Sequence, residues 1–356
     1  MQDTAAHPRY LRNAWYAAAW SHELSAAPLG RRLLGEHVVL FRDLDDHAIA
    51  LEDRCPHRFA PLSKGKLIGG ALECPYHGLR FDGSGACVLN PQGNNIVTKR
   101  ARVRTYPVLE AYKTIWIWMG DAGAASPSLL TNFSALAESD EQAVVYGYLN
   151  LPVNYQLIVD NLLDLSHVEF LHAVVGSKQS SQRTRFDMKQ VDNTIFGFNW
   201  IPNDPTTRLH KMIWDGAPSH GDRRAHMRWD PPAHMVLDVG VTGCGRPESE
   251  GLSTPSAHVL TPETETSTHY FWAHARNMKC DDHELSQKIQ KTIDAVFRTE
   301  DGPMMQACQE RMGSLDLMSL RPVVLSTDAA AVRARRVLAR LIEAEQDASR
   351  NADSQD

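Results

Sequence analysis

The sequence predicts an α+β fold in which a small all-β domain precedes a larger domain of mixed helices and strands. From about Arg31 to Met119 the chain contains short β-rich runs, among them HVVLFRD and TIWIWMGD, that end near Gly or Asp residues. After residue 128, alternating runs such as STHYFWAHAR are followed by long helical patterns such as DHELSQKIQKTIDAVF. The two patterns indicate two domains with different architectures.

The boundary between the domains is expected in the small, polar stretch GDAGAASPS, Gly120–Ser128. We assign residues 1–120 to the first domain, including an N-terminal extension, and residues 121–348 to the second. A last helix, DAAAVRARRVLARLIEAEQ, opens after the cap-like residues Ser326 and Thr327. The charged residues 349–356 are expected to form a disordered tail.

The composition excludes some classes of partner. The 356 residues include 37 basic and 43 acidic side chains, a formal net charge of -6, which argues against binding to nucleic acid or to an anionic membrane. No apolar run approaches the roughly 20 residues that span a bilayer. The apolar part of NAWYAAAWSHEL is too short and too aromatic for a signal peptide. We therefore expect a cytoplasmic protein.

Two short segments each carry one cysteine and one histidine, Cys55-x-His57 and Cys74-x-x-His77. Zinc fingers usually take their cysteines as one pair and their histidines as another, whereas here each segment supplies one of each. The mixture suits a cluster with two unlike irons, one held by a cysteine pair and the other by a histidine pair. This is the ligand set of a Rieske [2Fe–2S] centre. A zinc-stabilised binding module is the alternative.

The segment DNLLDLSHVEFLH, Asp160–His172, predicts a second metal site. On a regular helix Asp164 lies about 40° to one side of Asp160 and His167 about 20° to the other, so these three share a face. His172 follows His167 by five residues and points about 140° away from it. Both histidines can reach one ion only if the turn widens or the helix breaks between them.

A third ligand is expected from a distant part of the chain. Two histidines and one carboxylate with open positions form the facial triad of non-haem Fe(II) oxygenases. We choose Asp301, in FRTEDGPMM, because its helical segment can pack against the first; Glu300 is its neighbour. Asn161 lies beside the face that carries Asp160, Asp164 and His167.

The two clusters, in this order, resemble the Rieske non-haem iron oxygenases, and the match runs over most of the chain. The stretches NAWYAAAW, HVLTPETETSTHYFWAHARN and LSTDAAAVR are similar to the branch that contains the vanillate and dicamba O-demethylases. The resemblance implies a Rieske [2Fe–2S] domain followed by a helix-grip (START-like) catalytic domain with a curved antiparallel sheet. The implied ligands are Cys55, His57, Cys74 and His77 for the cluster, and His167, His172 and Asp301 for mononuclear Fe(II).

The resemblance also implies roles for residues around the iron. Asp164 would bridge His77 of the partner subunit to His167 as the route of electrons, and Asn161 would lie beside the iron. His258, which opens HVLTPETET, would contact the substrate carboxylate. A homotrimer is expected, because in this family the two centres of one chain are too far apart for rapid electron transfer.

The expected function is that of the terminal oxygenase component of a two-component system. The protein would activate O2 at the mononuclear Fe(II) and monooxygenate a small aromatic acid, by O-demethylation or methyl hydroxylation. The chain has no flavin or nicotinamide motif, so NAD(P)H would act only through a separate flavin and iron–sulfur reductase. Two alternatives stay open: cis-dihydroxylation of an aromatic carboxylate or sulfonate, and a Rieske electron-transfer protein without oxygenase activity.

Overall fold

The structure, a computed structural model, describes residues 10–353 and divides the chain into two compact units. The smaller unit comprises Tyr10–Leu130 and Thr261–Thr264; the larger comprises Thr131–Leu260 and the chain from Glu265 onward. Along the sequence, the smaller unit extends past the predicted boundary at residue 120. One contact that joins the added residues to this unit is the hydrogen bond that the indole of Trp15 donates to the Ser126 carbonyl at 2.8 Å.

The described part of the smaller unit consists of β-strands, short 3-10 turns and loops, as an all-β domain requires. Its strands form a three-stranded sheet, β1-β11-β10, and two four-stranded sheets, β2-β3-β4-β9 and β5-β6-β7-β8. The strands are β1 (Trp15–Trp20), β2 (Leu29–Leu33), β3 (Glu36–Arg42), β4 (Ala48–Glu52), β5 (Lys66–Ile68), β6 (Ala71–Glu73), β7 (Arg80–Phe81), β8 (Cys87–Leu89), β9 (Thr105–Tyr106), β10 (Val108–Ala111) and β11 (Thr114–Trp118).

The predicted runs HVVLFRD and TIWIWMGD are confirmed as β3 and β11. The apolar part of NAWYAAAW, which the sequence excludes as a signal peptide, forms β1, and every residue of this strand is buried. An apolar segment of this length is a strand rather than a targeting helix because a sheet hydrogen-bonds its backbone while both faces are covered.

The described strands of the larger unit form one long antiparallel sheet, in the order β12-β19-β18-β16-β15-β14-β13, with β17 paired to β16. The strands are β12 (Ala143–Leu151), β13 (Arg185–Val191), β14 (Thr194–Pro205), β15 (His220–Asp230), β16 (His234–Gly243), β17 (Leu252–Ser253), β18 (Ser256–Thr264) and β19 (Ser267–Arg276). The helices are α1 (Tyr155–Leu163), α2 (Val168–Leu171), α3 (Ser180–Arg183), α4 (Arg208–Ile213), α5 (His283–Val296), α6 (Gly302–Met312) and α7 (Ala329–Asp353).

The α+β class is therefore confirmed, and the helices follow from local sequence. The carboxylate of Asp282 caps α5 by accepting a hydrogen bond from Leu285 N at 2.8 Å, and Leu285, Ile289 and Ile293 recur at four-residue spacing on its buried face. Between residues 10 and 353, none of the helices combines the length and the apolar character that crossing a bilayer requires.

The predicted disordered tail is corrected in part. Residues 349–353 continue α7, where Arg350 lies 3.5 Å from Asp347 one turn earlier, and residues 354–356 lie outside the described part of the chain. Helical propagation explains the extension, because adding a residue to an existing helix gains one hydrogen bond without a new nucleation cost.

An ion pair joins α1 to α7. Arg335 donates from Nη2 to Asp160 Oδ2 at 2.6 Å and from Nε to Asp160 Oδ1 at 2.9 Å, and its Nη1 donates to Gln156 Oε1 at 2.6 Å. Burial raises the pKa of the Asp160 carboxyl, although Arg335 acts to lower it. Asp160 therefore serves the docking of two helices and not the metal site.

Replacing Arg335 with Met should lower the stability of the larger unit, because the largely buried Asp160 carboxyl loses the cation and the hydrogen bonds that compensate its burial. We expect a loss of about 2–3 kcal/mol, below that of a fully buried pair, since 20% of the Asp160 side chain is exposed. Thermal unfolding followed by circular dichroism measures the effect. Arg336→Met, at an exposed position of the same helix, should change stability by less than about 0.5 kcal/mol. Equal losses in both variants would contradict the assignment.

Candidate active site

The segment that carries the two histidines is not one helix. The helix α1 ends at Leu163, and Asp164 is extended with φ -111° and ψ 93°. A 3-10 turn, Leu165–His167, leads into α2, after which His172 is again extended. The helix thus breaks twice, at Asp164 before His167 and again at the end of α2, so the break that the two histidines require is present before His172, and an additional one lies at Asp164. The predicted shared face of Asp160, Asp164 and His167 is therefore wrong.

The side chain of Asp164 explains where the helix breaks. Its Oδ1 accepts a hydrogen bond from Ser166 N at 2.9 Å, so the carboxylate caps a new turn instead of continuing the old one. Gly176 follows the second interruption. Its backbone lies against the carbonyls of Val168 and His172, where a side chain would clash with both oxygens.

Three side chains from two distant segments meet at one point. His167, His172 and Asp301 each present a ligand atom, and these atoms all lie within 4.8 Å of one another. Asp301 Oδ1 is 3.2 Å from His172 Nε2 and 3.5 Å from His167 Nε2. Two imidazoles and one carboxylate with room for further ligands are the donor set that suits a non-haem iron.

Both imidazoles are held by a hydrogen bond at the ring nitrogen that faces away from this point. His167 Nδ1 donates to the main-chain carbonyl of Asp164 at 2.7 Å, and His172 Nδ1 donates to Glu300 Oε2 at 2.7 Å. A proton on Nδ1 leaves the Nε2 lone pair free for a metal. The arrangement therefore fixes both the orientation and the tautomer of the two rings.

Asp301 lies on a widened turn. Residues Phe297–Asp301 form a π-helical turn between α5 and α6, with the Gly302 N–H bonded to the Phe297 carbonyl. Pro303 has no N–H to donate to a carbonyl four residues earlier, so the regular ladder stops here. Such a bulge re-aims one side chain relative to a regular helix, and the residue it turns inward is Asp301, which is buried.

The electrostatics of the three residues are those of a preformed anionic site. Burial alone would raise the pKa of Asp301, but the two imidazoles that face its carboxylate, His167 and His172, outweigh burial and bring the pKa to about 2. Burial likewise acts to lower the pKa of His172, while Asp301 and Glu300 raise it, and the net change is upward. A carboxylate that stays ionised when buried is ready to bind a cation.

Asn161 and Asp164 both lie near the three residues. The Asn161 amide donates to Asp301 Oδ1 at 3.2 Å and is 3.5 Å from His167 Nε2. The Asp164 carboxylate, in contrast, accepts from Ser166 N and from Thr327 Oγ1, the latter at 3.2 Å. Only its main-chain oxygen contacts the His167 ring within the chain.

A cavity of about 480 Å³ adjoins the three residues. Its wall is mostly apolar, with contributions from α1, α4, α5 and the strands β14, β15, β16, β18 and β19. The volume lies in the range of sites for small organic ligands. The lining residues include Asn161, His167, His172, Val239, Phe297 and Asp301.

His258 lines this cavity but uses both of its ring nitrogens inside the protein. Its Nδ1 is 2.7 Å from Tyr270 Oη and its Nε2 is 2.9 Å from Ser256 Oγ. Burial, with a contribution from His274, lowers the pKa of His258 to about 3. The imidazole is thus neutral at pH 7.

Some residues of this region were not predicted as site residues from the sequence. Glu300 was noted only as the neighbour of Asp301, although its adjacency to a predicted ligand was a usable signal. His210, Arg223 and His274 also line the cavity, but they come from α4, β15 and β19 and belong to no local motif. Only the folded sheet brings them together.

The two cysteine–histidine segments, in the smaller unit, form loops with the same backbone pattern. In the first, Cys55 N donates to Ala60 O at 2.9 Å and Phe59 N donates to Cys55 O at 2.9 Å. In the second, Cys74 N donates to Leu79 O at 2.8 Å and Gly78 N to Cys74 O at 3.0 Å. Phe59 and Gly78, the equivalent residues, both have positive φ, 59° and 75°.

The four side chains are arranged by chemical type. Cys55 and Cys74 are buried among apolar side chains of the two four-stranded sheets, whereas His57 is exposed and its ring centroid lies 4.5 Å from that of the half-buried His77. Burial raises the pKa of the Cys55 thiol to about 11, and Cys74 adds to the rise. Two thiolates can form here only against a compensating positive charge, which cluster iron supplies. The donor set fits a Rieske cluster with an inner and an outer iron.

Comparison with known proteins identifies the families of both domains. Residues 14–107 match the Rieske [2Fe-2S] domain family, and residues 151–344 match the vanillate O-demethylase oxygenase C-terminal domain family. The oxygenase component of chloroacetanilide N-alkylformylase from Rhizorhabdus wittichii (strain DC-6 / KACC 16600) is 39% identical, over 94% of this chain and 97% of that protein. The oxygenase component of dicamba O-demethylase from Stenotrophomonas maltophilia is 37% identical, over 94% of this chain and 99% of that protein.

The fold is also that of a solved relative. The crystal structure of dicamba monooxygenase bound to 3,6-dichlorosalicylic acid superposes with a TM-score of 0.90 at 37% identity, covering 95% of this chain and 99% of that one. Matches to both domain families and to relatives of nearly the same length show the family. The chain belongs to the Rieske non-haem iron oxygenases, in the branch of the vanillate and dicamba O-demethylases, and is the oxygenase component of a Rieske system with a [2Fe–2S] cluster and a mononuclear iron.

Proposed function

We propose that His167, His172 and Asp301 hold the mononuclear iron, and that this oxygenase uses it to monooxygenate a small aromatic acid in the adjoining cavity. The observation that carries the proposal is the convergence of the three ligand atoms within 4.8 Å at the cavity wall. We assign the cluster to Cys55, His57, Cys74 and His77, supported by the paired loops with buried cysteines and outer histidines.

When bound, the iron supplies O2 activation and the cluster supplies electrons delivered by a separate reductase. The chain itself supplies orientation and exclusion of water. Glu300 and the Asp164 carbonyl hold the two imidazoles, and Asn161 holds the Asp301 carboxylate by a hydrogen bond. The apolar lining, which includes Val239 and Phe297, keeps bulk water from the substrate.

The reaction class follows from the relatives. They are named for O-demethylation of dicamba and for N-alkylformylase activity on chloroacetanilides, and a bound aromatic acid, 3,6-dichlorosalicylic acid, occupies the solved relative. We therefore propose removal of a methyl group from a methoxyarene acid, or hydroxylation of a methyl substituent, as the reaction. Ring cis-dihydroxylation is the second candidate, but no feature of the cavity favours it.

The electron route and assembly remain proposals from the family resemblance. Asp164 would connect His77 of the partner subunit to His167, in a homotrimer, using its carboxylate toward the partner and its carbonyl toward the His167 ring. His258 is proposed to shape the cavity through Tyr270 and Ser256, since both of its ring nitrogens are engaged. The cytoplasmic location stays a prediction.

Turnover with a generic NADH-dependent reductase tests the proposed reaction. Methoxy-, methyl- and unsubstituted aromatic acids are compared while O2 uptake, formaldehyde and diols are measured. Formaldehyde released in step with O2 uptake from a methoxyarene acid is the expected result. A cis-diol would replace the proposal with dihydroxylation. Failure of every acid, with full iron and cluster content, would show that the substrate class is wrong.

Replacing Glu300 with Ala should weaken iron binding by about 10–100-fold, because His172 loses the acceptor that holds its Nδ1 proton and ring orientation. The measurement is the dissociation constant of Fe(II) for iron-depleted protein that retains its cluster, by competition with a chelator. Glu300→Gln keeps an acceptor oxygen and should recover part of the affinity. Thr299→Ala, next to it, serves as control, since that hydroxyl donates only to the Ala295 carbonyl. Unchanged affinity in Glu300→Ala would contradict the role.

Replacing Asp164 with Asn should leave both metal sites loaded while nearly abolishing turnover. The main-chain carbonyl that holds His167 is unchanged by this substitution, and only the carboxylate charge is lost. Iron and acid-labile sulfide content report the sites, and reduction of the cluster compared with product formation reports electron delivery. Normal, coupled turnover in the variant would remove Asp164 from the electron route.

A further inference from the structure

Three polar side chains in the cavity wall take no part in the proposed iron site. His210 on α4, Arg223 on β15 and His274 on β19 all line the cavity and are all buried. Arg223 and His274 both lie near His210, because their charges add to the larger effect of burial in lowering the pKa of that imidazole to about 3. These three residues, which come from three separate elements, are here called the polar wall.

The charge balance beside the polar wall leaves a surplus of positive charge. Asp204 is the common partner of two guanidinium groups: its Oδ2 lies 3.0 Å from Arg223 Nε and its Oδ1 2.7 Å from Arg183 Nη2. One carboxylate thus serves two cations. Arg183 is 27% exposed and water can solvate it, whereas the Arg223 side chain is only 9% exposed. A buried charge without full compensation is costly, so an anion beside Arg223 would be stabilised.

The remaining partners of Arg223 are weak. Its Nη2 donates to Ser177 Oγ at 3.3 Å and its Nη1 to the Val175 carbonyl at 3.4 Å. Its Nε contact with Asp204 is close but not aligned as a hydrogen bond. A guanidinium has five N–H donors in a planar fork that matches a carboxylate or a sulfonate. The Arg223 guanidinium can therefore donate hydrogen bonds to a carboxylate or a sulfonate at the cavity wall.

Other polar atoms of the wall have no partner within the described chain. These are His210 Nδ1, His274 Nε2 and the Nε1 of Trp272, whose side chain also lines the cavity. A buried polar atom left unpaired costs about 1–3 kcal/mol, so native proteins rarely leave several together. Their presence makes this part of an otherwise mostly apolar cavity wall polar, which suits the polar group of a bound molecule. His258, in contrast, is already satisfied on both ring nitrogens.

We propose that Arg223, together with His210 and His274, binds the anionic group of the aromatic substrate and so determines which substituent of the ring faces the iron ligands. The proposal rests on the proposed function, since it takes the cavity as the aromatic-substrate site. The ligand chemistry is a carboxylate or a sulfonate, which the fork of a guanidinium binds alike. The histidines contribute hydrogen bonds, and the ionic contact is that of Arg223.

Direct binding, measured without turnover, tests the anchor separately from the reaction. The probes are the positional isomers of methoxybenzoate and methoxybenzenesulfonate, each paired with its uncharged primary amide or sulfonamide. Titration calorimetry on the enzyme with both metal sites loaded, under anaerobic conditions and without reductase, gives the affinities. Wild-type protein should bind at least one anion about 10–100-fold more tightly than its uncharged partner.

Arg223→Gln should remove this preference. The affinity for the anion should fall by about 10–100-fold, while that for the amide changes by less than about threefold. Asp204 keeps its ion pair with Arg183 in this variant, so no carboxylate is left alone. Arg228→Gln is the control, because Arg228 lies on the same strand and pairs with Asp230 at 2.8 Å; its affinities should not change. If Arg223→Gln does not fold, Arg223→Lys, which keeps the charge but loses the fork, should show a smaller loss for the anion alone.

The outcomes separate the anchor from the reaction. Equal binding of every anion and its uncharged partner in wild-type protein, or equal losses of both in the Arg223 variants, would overturn the anchor and leave Arg223 a structural residue. Anion selectivity that depends on Arg223, without formaldehyde when reductase is added, would uphold the anchor and overturn the proposed demethylation. If the amide is demethylated as fast as the acid, and Arg223→Gln loses no activity, the proposed demethylation is upheld and the anchor is overturned.

Discussion

The proposed iron site depends on one buried carboxylate that stays ionised between two imidazoles. Asp301 can remain charged in an apolar surrounding because His167 and His172 both approach the same oxygen, Oδ1. This close approach is possible only because helical geometry fails at defined places. The chain leaves the helix at Asp164, becomes extended again at His172, and widens into a π turn at Phe297–Asp301. Regular helices would separate these three side chains.

Each irregularity has a local chemical cause and a distant partner. The carboxylate of Asp164 starts a new turn by capping Ser166, and beside the π turn Pro303 has no N–H for the regular α-helical hydrogen bond to the carbonyl four residues earlier. The same irregular segments also supply the acceptors for the imidazole Nδ1 protons, one a main-chain carbonyl and the other the Glu300 carboxylate. The segments that depart from regular helix therefore also hold the two imidazole rings in their orientation.

The cluster loops bring their proposed ligands together by turns rather than by irregular helices. Two loops with matching hydrogen bonds at Cys55 and Cys74 place one thiol and one imidazole each, and the residues at positive φ close both turns. With the cysteines buried and His57 exposed, the outer side of the proposed centre would be open to a partner protein. The cavity of the larger unit differs from both metal sites. Its polar wall combines a buried guanidinium with unpaired histidine nitrogens, and these groups need a polar partner.

The sequence by itself determined the metal chemistry and the α+β class. Cys55-x-His57 and Cys74-x-x-His77 are short-range patterns, and ligand type and spacing are enough to predict the cluster that they suit. His167 and His172 were also predictable, and their five-residue spacing indicated an irregular helix. The position of that irregularity was not predictable, because it depends on which partner the Asp164 side chain finds: a regular helix and a capped break are both open to the same residues.

Only the tertiary structure decided which distant residues share the site. Asp160, which the helical wheel placed with the metal ligands, is held instead by Arg335 of α7. His210, Arg223 and His274 meet across α4 and two strands of the sheet, at separations along the chain where no periodicity relates one residue to another. Local pattern reports what a residue can bind. The sheet register and the helix docking, which follow from burial of the whole apolar surface, decide which residues stand together to bind it.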